Sequence, residues 1–273
     1  MNPQLKEINE ILALCDAMIA DIQNNGILYR GNSNYEEYKA QIKDFLISHN
    51  LMRRDYGLYA VFNALFFDTN GYTVNMSEAQ VIRNAVITLK HEQFPDAFEK
   101  IFISHREKDA AQVAAFMDLL YAIGIPRPTV GNNEKVIFCT SHPAAYIENG
   151  AKNLDEIKER FNSPDHTFFI LWYTDIYFES QACLNEAGAI WATNKKYQEI
   201  LAPGFDNSKI GGLLDKQSVW FWADNKYRLN TFKEQLESMF GLDPLTPNAW
   251  ETARDTYISR IDSITGGHNH ADA

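Results

Sequence analysis

Residues Thr167 to Ala192 read TFFILWYTDIYFESQACLNEAGAIWA. A seven-residue apolar run, Thr167 to Tyr173, meets a stretch of helical period within a few residues. The run does not alternate apolar with polar, which is the pattern of a parallel strand covered on both faces. From Phe178 to Ala192 the sequence predicts a helix that is apolar on nearly every side. Glu179, Ala182, Cys183, Glu186 and Ile190 follow one stripe of that helix at spacings of three and four. Glu186 therefore lies among Ala, Gly and Cys, where a charge is poorly solvated. Such a carboxylate is either structural, bonded to a backbone amide or an arginine, or chemically employed.

The same kind of run recurs outward from this stretch. Lys100 to Ser104 (KIFIS), Lys135 to Cys139 (KVIFC), a weaker Glu199 to Leu201, and Ser218 to Trp222 (SVWFW) are short and apolar. Helical patterns stand between them at Asp109 to Ile123 and Leu154 to Phe161, and two more follow, Leu229 to Phe240 and Trp250 to Ile261. Strand and helix in this alternation predict an α/β fold, a doubly wound, mainly parallel sheet with Ile101 to Ile103 in a central strand. Ligands of such sheets sit outside the carboxyl ends of the strands. Ser104, His105, Arg106, Glu107, Thr140, Ser141, His142, Thr174, Asp175 and Tyr177 follow those ends. No G-x-G-x-x-G follows a strand, and neither a P-loop nor a G-x-S-x-G elbow occurs, which disfavours a resident dinucleotide, a P-loop nucleotide and an elbow serine hydrolase.

Before residue 96 the period is helical throughout. Leu5, Ile8, Ile11, Leu12, Cys15, Ile19 and Ile22 repeat at three and four. Ser33 with Glu36, and Ser77 with Gln80, form capping boxes, and Tyr56 to Phe67 is a dense apolar stretch. We expect an all-helical domain over 1–96, an α/β domain over 97–265, and a disordered tail over 266–273. Arg53-Arg54 and the isolated His49 and His91 carry no constellation, so the helical domain is assigned regulation or assembly. His268 and His270 of the tail are read as part of a free polar segment rather than a metal site.

Composition narrows the function. Of 273 residues, 45% are hydrophobic and 13% aromatic, enough for a sizeable core, and the formal net charge is -11. That charge argues against a phosphate-tracking nucleic-acid surface. Cys15, Cys139 and Cys183 are odd in number and widely spaced, which fits neither a disulfide framework nor a zinc site and suits a reducing cytoplasm. The first twenty residues are too polar for a signal peptide, and no stretch is long enough for a membrane span.

Four segments in order resemble the Toll/interleukin-1 receptor (TIR) domain family, bacterial members most closely. They are IFISHREKD (Ile101 to Asp109), GIPRPTV with KVIFCTSHPAAYIENGAKNLDEIKERF, FFILWYTDIYFESQACLNEAGAIWA with its S-x-x-C-x-x-E at Ser180, Cys183 and Glu186, and KYQEILAPG. They span 98 to about 205, and residues 1 to 95 have no counterpart. The resemblance implies a flavodoxin-like fold and, in many relatives, cleavage of the nicotinamide-ribose bond of NAD+. It gives Glu186 the catalytic role of holding the ribose hydroxyls and stabilising an oxocarbenium-like transition state. NAD+ is then a substrate; no cofactor and no metal is implied, and the product is ADP-ribose or a cyclic ADP-ribose species. Substrate contacts are expected from Ser104, His105, Arg106, Ser141, Trp172 and Tyr177, with Arg106 on the phosphates. Relatives often carry Trp before the Cys, where this chain has Ala182. Trp172, Tyr173 and Tyr177 are the aromatics at hand to replace it, and each also reads as core. Cys183 reads as helix packing, since no base adjoins it. The expected partners are NAD+ and other copies of the chain, in a homo-oligomer that is active as a bacterial antiviral or signalling effector. Two other functions stay open: a non-enzymatic TIR adaptor that assembles through Ser141 to Gly150, and a nucleoside-cleaving or deoxyribosyl-transferring enzyme.

Overall fold

The computed structural model describes residues 3–26, 28–29, 33–51, 59–60, 63, 73–128, 136–139, 166–206, 208, 210 and 220–266. Ser141, the Ser141 to Gly150 loop, the expected helix at Leu154 to Phe161, most of Tyr56 to Phe67 and the tail beyond Gly266 lie outside the described residues. Among the described residues the chain divides into two compact units, with the boundary between Ala97 and Phe98.

In the first unit three helices are described: α1 (Pro3–Asn25), α2 (Ser33–Ser48) and α3 (Met76–Gln93). The three-four spacing of α1 places Leu5, Ile8, Leu12, Cys15 and Ile22 on one buried face. That face packs on Tyr35, Ile42 and Leu46 of α2 and on Ile82, Val86 and Leu89 of α3. The expectation of an all-helical unit is corrected by a short antiparallel pair, β1 (Leu28–Tyr29) with β2 (Thr73–Val74). Its cause is local. Gly26, at φ +70°, ends α1 and turns the chain, and Leu28 and Val74 are then buried side by side in the helical core. Pairing satisfies backbone groups that this burial removes from water. The start of α3 also differs from the expected box: Asn75 is the N-cap, its side chain accepting from the Ser77 amide at 3.0 Å and from the Ser77 hydroxyl at 2.9 Å.

The second unit holds a five-stranded parallel sheet: β3 (Lys100–Ser104), β4 (Ile137–Phe138), β5 (Thr167–Tyr173), β6 (Tyr197–Leu201) and β7 (Phe221–Trp222). Its order is β4-β3-β5-β6-β7, with every neighbouring pair parallel. β3 is an interior strand, as its apolar run predicts, and every residue of β3 and β5 is buried. Helices α4 (Ala110–Ile123), α7 (Lys226–Phe240) and α8 (Pro247–Thr265) cover one face, closing on Ile101, Ile103, Phe168, Ile170, Trp172 and Ile200. The opposite face, Phe102, Phe138, Phe169, Leu171, Tyr173 and Leu201, packs against the four-residue helix α5 (Asp175–Phe178) and against α6 (Gln181–Ala192). Each fully buried Ile, Leu or Phe contributes about 1.5–3 kcal/mol.

The long helix expected from Phe178 is broken. Thr174 caps α5, accepting from the Tyr177 amide at 3.2 Å, and Ser180 caps α6, accepting from the Cys183 amide at 3.3 Å. Nor is α6 apolar all round in effect. Cys183, Ala187 and Ile190 are buried, whereas Leu184 is 39% and Trp191 45% exposed.

Candidate functional site

The order of the sheet fixes where a ligand fits. The chain leaves β3 through α4 on one face and leaves β5 through α5 and α6 on the other. The crevice where connections diverge lies outside the carboxyl ends of β3 and β5. Ser104 ends β3, and Thr174 follows β5.

Ser104 and Leu171 are register partners, so Ser104 shares a sheet face with Phe102, Phe169 and Leu171, the face that α6 covers. Its hydroxyl donates to Oε2 of Glu186 at 2.6 Å. That bond joins residues 82 apart in sequence and is short enough for a charge-assisted contact. Glu186 is half-buried, and burial raises its pKa above the ordinary carboxylate value while the Ser104 hydroxyl pulls it partly back. Its second oxygen, Oε1, bonds no described residue. Among the described residues the carboxylate is thus bonded at one oxygen only.

Tyr177 is fully buried beside this pair. Its hydroxyl stands 3.0 Å from Ser104 Oγ and donates toward the Cys183 carbonyl at 3.1 Å. Burial drives its pKa far up, with Glu186 and Glu199 adding to the effect, so it stays protonated. The Tyr177 ring packs 5.0 Å from Tyr173 and 5.7 Å from Phe178, so it is part of the core rather than a free wall for a base. Tyr173 in turn donates to buried Glu199 at 3.1 Å.

A second polar cluster ties the two strand ends together. Asp109 is buried, and its carboxylate accepts from the Thr174 hydroxyl at 2.7 Å. Burial raises its pKa; the Thr174 bond, the Arg106 charge and the Arg106 backbone amide oppose that rise. Thr174 therefore holds both α5 and the turn at Glu107–Asp109 that leads into α4.

The remaining expected residues fall as follows. His105 is buried, and Nδ1–H donates to its own strand at Ile103 O, 3.2 Å away. Burial lowers its pKa, so the ring is neutral near pH 7. Its carbonyl accepts from the Cys183 thiol at 3.7 Å. Arg106 is exposed, and its charge acts on Asp109 and Cys183. Trp172 is not at the crevice. It is fully buried on the other face of the sheet, 5.2 Å from Phe116, with its indole N–H donating to Gln112 at 3.2 Å. The expectation that it contacts a ligand is corrected by the two-residue period of the strand, which points Trp172 away from Ser104 and Glu186. Cys183 is buried with its thiol pKa raised, chiefly by desolvation, so it packs rather than reacts. The sequence motif S-x-x-C-x-x-E thereby acquires three separate tasks: Ser180 caps, Cys183 packs and Glu186 presents its carboxylate. Sequence reasoning missed the Tyr177 hydroxyl contacts, the Asp109–Thr174 bond and the burial of Glu199. The one available signal was a set of polar residues at the ends of apolar runs.

Cys15, Cys139 and Cys183 are all buried, and none is joined in a disulfide. Among the described residues no group of three or more His, Cys, Asp or Glu side chains is arranged to hold a metal ion. No described helix is long and apolar enough to cross a membrane.

No protein-family model matches the chain, and no solved structure matches it. It is similar to the uncharacterized protein YddK of Bacillus subtilis (strain 168), with 28% identity over 179 residues. The similarity covers 66% of this chain and 63% of the relative, so the chain spans under two thirds of that protein's length.

Proposed function

We propose that the protein is a TIR-type enzyme that breaks the nicotinamide-ribose bond of NAD+. The observation that carries the reading is the Glu186 carboxylate, held at one oxygen by Ser104 and bonded at the other to no described residue, at the crevice of a parallel sheet. Numbered from β3, the strands run 2-1-3-4-5, the order of flavodoxin-like sheets, which supports the TIR resemblance of residues 98 to about 205.

The chemistry suits a single carboxylate. The nicotinamide leaves as a neutral ring, taking the electron pair of the C–N bond, so no strong acid is needed. Positive charge then develops on the ribose. An ionised Glu186 accepts hydrogen bonds from the ribose hydroxyls through Oε1 and stabilises that charge. Its partial burial strengthens the interaction and lessens reorganisation. Water capture gives ADP-ribose; capture by an adenine nitrogen gives a cyclic species. In this reading Arg106, exposed just beyond β3, binds the phosphates. The first unit serves assembly or regulation, and the active form is a homo-oligomer in the cytoplasm, in keeping with a defence or signalling effector.

The test is nicotinamide release from NAD+ by concentrated protein, followed by chromatography. Glu186→Gln keeps the shape and removes the charge. Its turnover is expected to fall about a hundredfold or more, the scale for one preorganised electrostatic group. Equal turnover by wild type and variant would falsify the assignment. Absence of turnover in crowded wild type transfers the reading to a non-enzymatic adaptor.

A further inference from the structure

Three contacts link the Glu186 carboxylate to the Cys183 carbonyl of the same helix: Glu186 Oε2 with Ser104 Oγ at 2.6 Å, Ser104 Oγ with Tyr177 OH at 3.0 Å, and Tyr177 OH with Cys183 O at 3.1 Å. Each needs one proton to be a hydrogen bond. With Glu186 ionised the chain holds two, the hydroxyl protons of Ser104 and Tyr177. Ser104 must then donate to the carboxylate, and Tyr177 serves either Ser104 or the carbonyl but not both. One contact is left as facing lone pairs. With Glu186 protonated there are three protons for three contacts. The chain runs in one direction: Glu186 to Ser104, Ser104 to Tyr177, Tyr177 to Cys183 O.

We infer that Tyr177 is a positioning residue: its hydroxyl, acting through Ser104, gives protonated Glu186 a complete hydrogen-bond chain that ionised Glu186 lacks. The expected contact of Tyr177 with substrate is thereby replaced by an indirect role. Tyr177 tunes the fraction of enzyme that carries the ionised Glu186 needed for cation stabilisation. The tuning deepens the reading of Glu186 as the reacting carboxylate, yet the proton count itself holds whatever the substrate. The raised pKa of Glu186 agrees with it. Other charged and titratable groups act on the members of this chain. Glu199 of β6 acts on Tyr177, which also touches Tyr173 of β5, and Arg106 and Asp109 act on Cys183.

Removing the Tyr177 hydroxyl deletes two bonds from the protonated state and one from the ionised state. The pKa of Glu186 in Tyr177→Phe is therefore expected to fall. Ser104→Ala removes the donor that favours the charge, and its Glu186 pKa is expected to rise. Opposite signs mark the relay, because a general loosening of the site moves both variants the same way. The measurement is a carbon NMR titration of full-length protein labelled at glutamate carboxyls, with the Glu186 signal assigned through Glu186→Gln. The shift expected in Tyr177→Phe is roughly one unit downward, the worth of about one hydrogen bond. Replacing Tyr177 by 3-fluorotyrosine keeps the ring in place and makes the hydroxyl a better donor and poorer acceptor. It too is expected to lower the Glu186 pKa, and it serves if the phenylalanine variant does not fold. An unchanged or raised Glu186 pKa in either Tyr177 variant overturns the inference. The acid limb of nicotinamide release should move with the titration. If the titration shifts as expected but no nicotinamide is released by any form, the relay stands and the NAD+ reading falls.

Discussion

Glu186 is held where its charge is poorly solvated, and this has a consequence for stability that is separate from catalysis. Its pKa in the folded protein lies above the ordinary value because burial disfavours the charged form. The folded state therefore binds that proton more tightly than the unfolded chain. The favourable contribution is fully present below the unfolded carboxyl pKa and is lost as pH rises through the folded one. Above that window the ionised group opposes folding. Glu186→Gln has no such charge, and its amide oxygen still accepts from Ser104. The variant is expected to melt above wild type at pH 7 to 8, the gap closing as pH is lowered toward the unfolded carboxyl pKa of about 4.3. Paired thermal melts across that range check it. A variant less stable than wild type at pH 8 means that the Ser104 bond outweighs desolvation. A catalytically impaired protein that is more stable is the pattern expected of a strained functional group.

β3 and β5 were legible as strands because they are continuous apolar runs, and the structure buries every residue of both. Orientation within them was less so. Trp172 and Tyr173 are adjacent in sequence, yet one joins the α4 face and the other the α6 face, and only the register with Ser104 decides which. The break at Ser180 was hidden for a different reason. Phe178, Ala182 and Cys183 keep helical spacing across it, so the apolar period gives no sign that the Ser180 side chain has replaced a turn. The two-residue strands β1 and β2 are too short for any periodicity to register, whereas β7 lies inside the apolar run Ser218 to Trp222. Ser180 belongs to the same S-x-x-C-x-x-E motif as Glu186, but its hydroxyl caps α6. Ser180→Ala is expected to destabilise by about 1 kcal/mol, the ordinary worth of an N-cap. Once folded, it should keep far more turnover than Glu186→Gln. A Ser180→Ala protein of wild-type melting temperature that lost turnover as completely as Glu186→Gln would move Ser180 from cap to catalyst.

Among the described residues the two units have cores that share no residue. The helical core runs from Ile8 to Leu89, with Phe94 packed against it, whereas both sheet cores begin at or beyond Phe98. Every group of the candidate site, from Ser104 and Asp109 to Thr174, Tyr177, Cys183 and Glu186, lies in the second unit. A closed core is the physical requirement for independent folding, and 98–273 is well above the length at which one core becomes marginal. Residues 98–273 are therefore expected to fold alone, with mixed helix and strand in circular dichroism and one cooperative melt. The Glu186 titration in that fragment should match the full chain, because the described bond to its carboxylate, from Ser104, is kept. Nicotinamide release is the discriminating readout. If the first unit assembles the enzyme, the fragment keeps the wild-type titration but loses turnover at low concentration and regains it when crowded. If the first unit restrains the enzyme, the fragment is more active than the full chain at every concentration. A fragment that does not fold, or whose Glu186 titration is displaced, shows that the sheet unit depends on residues before Phe98 and that the separation of cores does not amount to separate domains.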